Sequence, residues 1–371
     1  MALACGGTGG HVFPGLATAH VLRSRSCDVD LWLTGKDIEK TAVGDWNGAI
    51  VAVPAEGFAN GVSVKSLRAA WQIIKAGRKC TRIMRTNKPD VLLAMGSYAS
   101  VGPVIAALRL KVPYVLHEAN VLPGRAVSLF SRRAAAIAGS FEETRHYLSG
   151  RRLIITGMPL RRNLECEGNY RGIDLPDPDA FTLMVTGGSR GAHRLNEMVS
   201  EAVVAIHRRG RRIQVIHLSG VDDEGMVRRR YEKNAVPHVV YAFVHEMGAL
   251  YSSTDLAICR AGASTCAELT SFGVPALLVP YPYAAHDHQT ANARALEKSG
   301  AADVAPEKDL SAAWLVDYIT GSMDNPKRLA RISAALKSRS SANAAERLAD
   351  LIEKVAMGSD AITDSSLHDE V

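Results

Sequence analysis

The chain has 371 residues, 47% hydrophobic and 22% charged, with a formal net charge of +6 at pH 7. That length suits about two domains, and the composition excludes a disordered or collagen-like chain in favour of packed soluble cores. No run approaches the ~18 consecutive apolar residues of a membrane span, and the first residues lack the basic and apolar regions of a secretory signal.

The first apolar run, Met1 to Cys5, leads straight into Gly6-Gly7-Thr8-Gly9-Gly10-His11. So short a strand is compatible with a natural start upstream of Met1. Glycines allow a sharp turn and a close approach to a ligand. A helix starting after them points free N–H groups and a positive dipole end at a bound anion. Strand-like runs follow at Asp30–Leu33 and Ala49–Val53. Between Gly57 and Pro89 lie Lys65, Arg68, Lys75, Arg78, Lys79, Arg82, Arg85 and Lys88, with no acidic residue. Leu67, Trp71, Ile74 and Ile83 are interleaved at roughly helical spacing. A basic amphipathic helix of this kind fits a membrane surface. It equally fits a helix packed on a core with a solvated cationic face. Nucleic acid fits poorly, because no recognition motif or aromatic cluster accompanies the charge.

Further apolar runs stand at Val91–Met95, Tyr114–Leu116 and Leu153–Ile155, and then at Phe181–Val185, Ile213–His217, Val239–Tyr241, Leu256–Ile258 and Ala276–Val279. They rarely alternate polar with apolar residues, the pattern of strands buried on both faces of a parallel sheet. Tyr170–Ala180, rich in Pro, Asp and Gly, reads as the linker between halves. After Asp324-Asn325-Pro326 a long helical region runs towards Val355, and an acidic, polar tail follows from Gly358.

In an open parallel sheet, ligands bind beyond the carboxyl ends of the strands. A second glycine loop, Gly187-Gly188-Ser189-Arg190-Gly191-Ala192-His193, follows one such strand. Neither loop is G-x-G-x-x-G, which disfavours a redox dinucleotide enzyme. After the Leu256–Ile258 run comes Cys259-Arg260-Ala261-Gly262-Ala263-Ser264-Thr265-Cys266-Ala267-Glu268. Gly262 makes the turn, Ser264 or Thr265 is placed to cap a helix, and Glu268 lies about one turn in. That carboxylate suits the two hydroxyls of a ribose; it would also simply complement the helix dipole. Together with the second glycine loop it favours a nucleoside-diphosphate site, with Ser189 and loop amides on phosphate.

The segment Pro280–Asn292 contains His286-Asp287-His288, three adjacent residues that do not easily converge on one ion. A polar loop reading sugar hydroxyls fits better. The D-x-D tripeptides Asp28–Asp30 and Asp177–Asp179 enter a strand and sit in the linker, so neither is placed to hold a metal–nucleotide. No metal and no cofactor is expected. The cysteines Cys5, Cys27, Cys80, Cys166, Cys259 and Cys266 show no C-x-x-C spacing, which fits reduced thiols. In the first half, His11 and His117-Glu118-Ala119-Asn120 follow strands, and a histidine neutral near pH 7 can take a proton from an attacking hydroxyl; a lone histidine at a helix start equally fits a structural role.

Seven segments in order resemble the bacterial UDP-N-acetylglucosamine transferases that complete the lipid-linked peptidoglycan precursor. They are GGTGGHVFPGLA (Gly6–Ala17), HEAN (His117–Asn120), GMPLR (Gly157–Arg161), GGSRGA (Gly187–Ala192), FVHEM (Phe243–Met247), CRAGASTCAE (Cys259–Glu268) and DHQTANA (Asp287–Ala293). The resemblance covers about Ala4 to Val355. It implies a GT-B fold, α/β, with two Rossmann-like domains whose parallel sheets face a central cleft. Residues 1–157 would form the acceptor and membrane domain, joined by a returning helix at about 338–356. Residues 158–337 would bind the UDP-sugar, and 357–371 would be a disordered tail.

The implied reaction is an inverting transfer of N-acetylglucosamine from its UDP donor to the C4 hydroxyl of undecaprenyl-pyrophosphoryl-muramoyl-pentapeptide. By the same resemblance Val244 would meet uracil through its backbone, Glu268 the ribose, and Ser189 and Arg161 the phosphate region. Ala263, Ser264, Thr265 and Cys266 would supply helix-start amides, and Gln289 would contact N-acetylglucosamine. Thr8, Gly9, Gly10 and Asn120 would line the N-domain side, with His11 as general base and Glu118 as its alternative. Lys65, Arg68, Trp71, Ile74, Lys75 and Arg78 would face an anionic membrane surface, on the cytoplasmic face of the cell membrane. The chain departs from the family pattern at Ser97, Ala119, Val127, Met158, Arg190 and His288. Other readings stay open: another lipid glycosyltransferase of GT-B type, a UDP-sugar epimerase, or, motivated by Ala119, Val127 and Arg190, a weakly catalytic UDP-sugar-binding membrane scaffold.

Overall fold

The computed structural model describes residues 1–53, 64–161, 164, 173, 175–188, 191–244, 246–341 and 343–358. They form two units, one of Met1–Arg161 with the chain from Ser341, the other Arg162–Ser340. In the first unit the strands are β1 (Ala2–Ala4), β2 (Asp30–Leu33), β3 (Ile50–Ala52), β4 (Leu92–Ala94), β5 (Tyr114–Glu118), β6 (Ala136–Gly139) and β7 (Leu153–Ile155). They pair in the order β3-β2-β1-β4-β5-β6-β7, every pair parallel. Its helices are α1 (Gly9–Ser24), α2 (Asp37–Ala42), α3 (Val64–Thr86), α4 (Val101–Leu110) and α5 (Arg125–Phe130).

The strands are mostly apolar because each face has its own core. Leu3, Leu31, Leu33, Leu93 and Val115 pack on one side with Leu22 of α1. Ala2, Ala4, Trp32, Leu92 and Leu116 pack on the other with Cys80 and Met84 of α3 and Val104 of α4. Successive strand residues point to opposite faces, so both sets have to be apolar.

The second unit carries β8 (Phe181–Thr186), β9 (Ile213–Leu218), β10 (His238–Tyr241), β11 (Leu256–Cys259), β12 (Ala276–Leu278) and β13 (Asp303–Val304). The order is β10-β9-β8-β11-β12-β13, again parallel. Its helices are α6 (His193–Arg208), α7 (Glu224–Lys233), α8 (Met247–Ser252), α9 (Ala263–Phe272), α10 (His288–Lys298), α11 (Ala312–Met323) and α12 (Pro326–Ser338). The last helix, α13 (Ala344–Ala356), belongs to the first unit. There Leu348, Ala349, Leu351 and Ile352 join the core beneath α1.

Two features differ from the sequence reading. The long C-terminal helical region is two helices, interrupted before Asn343, whose φ of 58° is left-handed and cannot continue a helix. The chain changes units between Arg161 and Arg162, ahead of the Pro- and Asp-rich segment. Asp177 there is fastened within the second unit, its carboxylate to Arg212 at 2.7 and 2.9 Å and its carbonyl to Gln214 Nε2 at 2.7 Å. Tyr170–Gly172 and Asp174, and the tail from residue 359, lie outside the described residues. In α3, Trp71 and Ile74 are 61% and 46% exposed, which fits the membrane-surface alternative better than the core-packed one. The residues that pack inward are Gly77, Cys80, Thr81 and Met84, at the i, i+3, i+4, i+7 spacing of one helix face. No helix among the described residues is long and apolar enough to cross a membrane.

Strand order reverses between β1 and β4 in one sheet and between β8 and β11 in the other. Loops leaving the carboxyl ends of such a pair diverge and open a crevice. Both glycine loops sit at these positions.

Candidate active site

In the first unit, residues 5–8 connect β1 to α1. Gly7 turns with φ of +133°, a conformation that excludes an ordinary side chain. Its N–H donates to Glu39 Oε1 at 2.7 Å. The same buried carboxylate accepts from the N–H groups of Thr34 at 2.8 Å and Gly35 at 2.7 Å, and from the Thr34 hydroxyl at 2.5 Å. From across the strand reversal, Ser97 donates its hydroxyl to Gly6 O at 2.6 Å and accepts from Ala99 N–H at 3.1 Å. Ser97, a departure from the family pattern, is therefore a brace for the glycine loop. Beside it the Lys36 ammonium bonds the Tyr98 hydroxyl and lies over that ring.

His11 sits in the first turn of α1, its amide on Thr8 O at 2.9 Å and its Nδ1 2.9 Å from Thr8 Oγ1. Burial pushes its pKa down from 6.5 to about 4, so the imidazole is neutral at pH 7. Gly9 and Gly10 form the start of the same helix. Arg161 stacks its guanidinium 3.6 Å from the ring centroid of Phe13, two residues after His11 in α1.

At the end of β5, His117 is 1% exposed. Burial lowers its pKa to about 4, His11 adding to the shift and the Gly157 backbone opposing it. Glu118 accepts from Asn120 N–H at 2.9 Å and Asn120 Nδ2 at 3.4 Å on one oxygen, and from Gly124 N–H at 2.7 Å on the other. It thus fastens the loop that carries Asn120. Ala119 and Val127, two more departures, are buried apolar packing in that region.

In the second unit the glycine loop follows β8. Gly191 has φ of +74°, and a Cβ there would stand 2.3 Å from Ser219 O. Asn196 Nδ2 donates to that carbonyl and to Asp223 Oδ2, both at 2.8 Å. Asp223 Oδ1 lies 2.6 Å from His193 Nδ1, which raises the His193 pKa. His217 Nε2, 3.1 Å from Asn196 Oδ1, closes the network from below. Ser189 and Arg190 lie outside the described residues.

After β11, Arg260 pairs with Glu307 and donates to Val279 O at 3.2 Å and Pro280 O at 3.3 Å. The cap of α9 is Gly262, with no side-chain cap bond, and not Ser264 or Thr265. Those two residues and Ala263 are the first helical positions, whose amides have no intrahelical acceptor. Cys266 differs from its expected role: its N–H already closes the first helical turn on Gly262 O at 2.9 Å. Glu268 is half-buried in the next turn, and Tyr251 of α8 donates to its Oε2 at 2.7 Å. Gln289 opens α10 and accepts Tyr281 N–H at 2.9 Å. It follows His286 and Asp287, both left-handed with φ of 54°, the kind of strain that gathers at binding loops. Val244 is half-buried between β10 and α8. Val244, Ala263–Thr265, Glu268 and Gln289 thus follow the carboxyl ends of strands in one parallel sheet, and so share an edge.

Residues 1–139 match the N-terminal domain of glycosyltransferase family 28, and residues 182–351 match its C-terminal domain. The chain is 36% identical over 349 residues to the UDP-N-acetylglucosamine–N-acetylmuramyl-(pentapeptide) pyrophosphoryl-undecaprenol N-acetylglucosamine transferase of Syntrophotalea carbinolica, covering 93% of this chain and 96% of that protein. The transferase of the same name from Sinorhizobium medicae is 36% identical over 358 residues, 96% of each. The crystal structure of Acinetobacter baumannii MurG superposes with a TM-score of 0.77 at 28% identity, over 95% of this chain and 98% of that one. A putative UDP-N-acetylglucosamine 2-epimerase from Listeria monocytogenes shares the fold alone, with a TM-score of 0.72 at 13% identity over 97% of each chain.

Burial raises the Glu118 pKa from 4.5 to about 7. A carboxyl raised on folding binds more protons in the folded state than in the unfolded one. Its contribution is present below about pH 4.5 and lost as pH rises towards 7. In Glu118→Gln that loss disappears. The stability of the variant relative to the wild-type chain should rise by on the order of 3 kcal/mol between pH 4.5 and 7, read from urea titrations at each pH. A difference that stays constant across the window contradicts the assignment.

Proposed function

Because the chain belongs to glycosyltransferase family 28, we infer that it transfers N-acetylglucosamine from UDP-N-acetylglucosamine to a lipid-linked muramoyl-pentapeptide in peptidoglycan synthesis. The observation that carries this is identity of about one third along nearly the whole length of transferases named for that reaction. An epimerase is not favoured, since that likeness extends to the fold alone. Nor is a weak scaffold, since Ser97, Ala119 and Val127 have structural places of their own.

The acceptor's C4 hydroxyl attacks the anomeric carbon, a C–O bond forms there as the bond to phosphate breaks, and UDP departs with the electron pair. His11 takes the hydroxyl's proton. Its low pKa keeps it neutral, and a proton on Nδ1 directed at Thr8 Oγ1 would leave Nε2 as the base. Glu118 serves better as the holder of Asn120, because loop donors occupy both its oxygens. Ser189, Arg161 and the amides of Ala263, Ser264 and Thr265 stabilise the leaving diphosphate, with preorganised dipoles supplying the largest effect. Glu268 holds the ribose, Val244 the uracil and Gln289 the transferred sugar. Thr8, Gly9, Gly10 and Asn120 belong to the acceptor side.

The peripheral membrane face is α3. Trp71, Ile74, Lys75 and Arg78 fall on one helix face by spacing and are all exposed, with Arg82 and Arg85 continuing it. Exposed Trp and Ile beside cations suit an anionic bilayer, the apolar groups entering the headgroup boundary. Lys65 and Arg68 lie on the first turns of α3, and their side chains are outside the described residues. A position of this face on the cytoplasmic side of the cell membrane fits a UDP-sugar donor.

Two measurements test these roles. His11→Ala should lower kcat by about 10²–10⁴-fold, and the acid limb of kcat/KM in the wild-type enzyme should fall near pH 4 rather than 6.5. Turnover within a few-fold of wild type would remove His11 as the base. Joint reversal of Lys75 and Arg78 to Glu should weaken binding to phosphatidylserine-containing vesicles by roughly thirtyfold or more, at about 1 kcal/mol per charge lost, and reduce its salt dependence. Unchanged vesicle binding would discard the α3 assignment.

A further inference from the structure

Glu268 is held from a different helix. Tyr251 of α8 is 2% exposed and donates its hydroxyl to Glu268 Oε2 at 2.7 Å. Its ring is stacked on Phe272 of α9, centroids 5.3 Å apart and planes at 29°. Phe272 and Glu268 are at i and i+4 spacing and therefore share one face of α9. One side chain thus grips that face twice, by its ring and by its hydroxyl.

A buried phenol needs a partner for its O–H. Here the partner is a carboxylate, which makes the bond charge-assisted. Burial and the Glu268 charge push the Tyr251 pKa well above its usual value, so the hydroxyl is a permanent donor. A glutamate in a helix otherwise samples several staggered arrangements about its torsions. Any ligand that requires one of them bears the cost of selecting it.

We propose that Tyr251 is a positioning residue: by bonding Oε2 and bracing α9 through Phe272, it fixes the Glu268 carboxylate for the ribose hydroxyls of the nucleoside-diphosphate donor. This rests on the reading of Glu268 as the ribose ligand. Tyr251 itself does not touch the nucleotide in this account. Its loss should be felt only through hydroxyls that Glu268 holds.

The test is titration calorimetry on the full chain with UDP, 2′-deoxy-UDP and 3′-deoxy-UDP. It compares wild type, Tyr251→Phe, Glu268→Ala and the double variant. Tyr251→Phe keeps the ring and its stacking. It should weaken UDP binding by about tenfold, the scale of one hydrogen bond to a charged group, and weaken by less each deoxy nucleotide that lacks a hydroxyl Glu268 binds. In the Glu268→Ala background the Tyr251→Phe change should have no further effect on any of the three. Equal weakening of all three nucleotides by Tyr251→Phe, or ribose discrimination kept by it while Glu268→Ala abolishes it, overturns the positioning role and leaves Glu268 as the ribose ligand. Discrimination that survives Glu268→Ala overturns the ribose reading, and the positioning role falls with it.

Discussion

The parallel pairing of β1 with β4, and of β8 with β11, is the constraint on which the rest of this molecule depends. Each pair marks the point where strand order reverses, Leu3 opposite Leu93 in one sheet and Val185 opposite Ile258 in the other. Parallel strands send all their carboxyl ends to one edge, and reversal makes the loops at that edge part company. The glycine loops leave β1 and β8, so each backbone turn and each new helix start lies beside a crevice. The candidate residues after β5, β10, β11 and β12 are then carried to those same edges by the topology.

Loops that must approach a charged ligand closely cannot be held by large side chains of their own. The structure holds them from outside with polar groups distant in sequence. Glu39 grips Gly7, Ser97 grips Gly6, and Asn196 with Asp223 supports the Ser219 carbonyl under Gly191; nearer in sequence, Glu118 holds the turn at Asn120. Glu268 is itself held, by Tyr251. Each of these bonds removes a conformational choice before the substrate arrives. Preorganisation of that kind is what lets dipoles and amides stabilise a leaving diphosphate without rearranging in the reaction.

Most strands were legible because both faces of each sheet are covered, which demands uninterrupted apolar runs. β6 was not: Ala136-Ile137-Ala138-Gly139 carries small residues with weak strand preference, and its burial comes from its neighbours. β13 is a two-residue pairing with no pattern to read. The glycine loops and Glu268 stood out by local sequence. Their braces did not, because a bond from Gly7 to Glu39 or from Gly6 to Ser97 spans 32 or 91 residues and leaves no local signature. The inward face of α3 was not legible for a related reason. Periodicity showed that the helix is amphipathic, but only the packing of Gly77 and Cys80 against Ile105 and Gly102 of α4 decides which face is inside.

The central claim is a transfer to a lipid-linked saccharide by residues on the edges of two parallel sheets. The most direct measurement is incubation of the purified chain with radiolabelled UDP-N-acetylglucosamine and a short-chain analogue of the pyrophosphoryl-muramoyl-pentapeptide acceptor, with label followed into the lipid. The account predicts label in a disaccharide lipid, release of UDP in equal amount, and loss of both in His11→Ala and Glu268→Ala. UDP binding without label in the lipid, or conversion of the free UDP-sugar with no acceptor present, would contradict it.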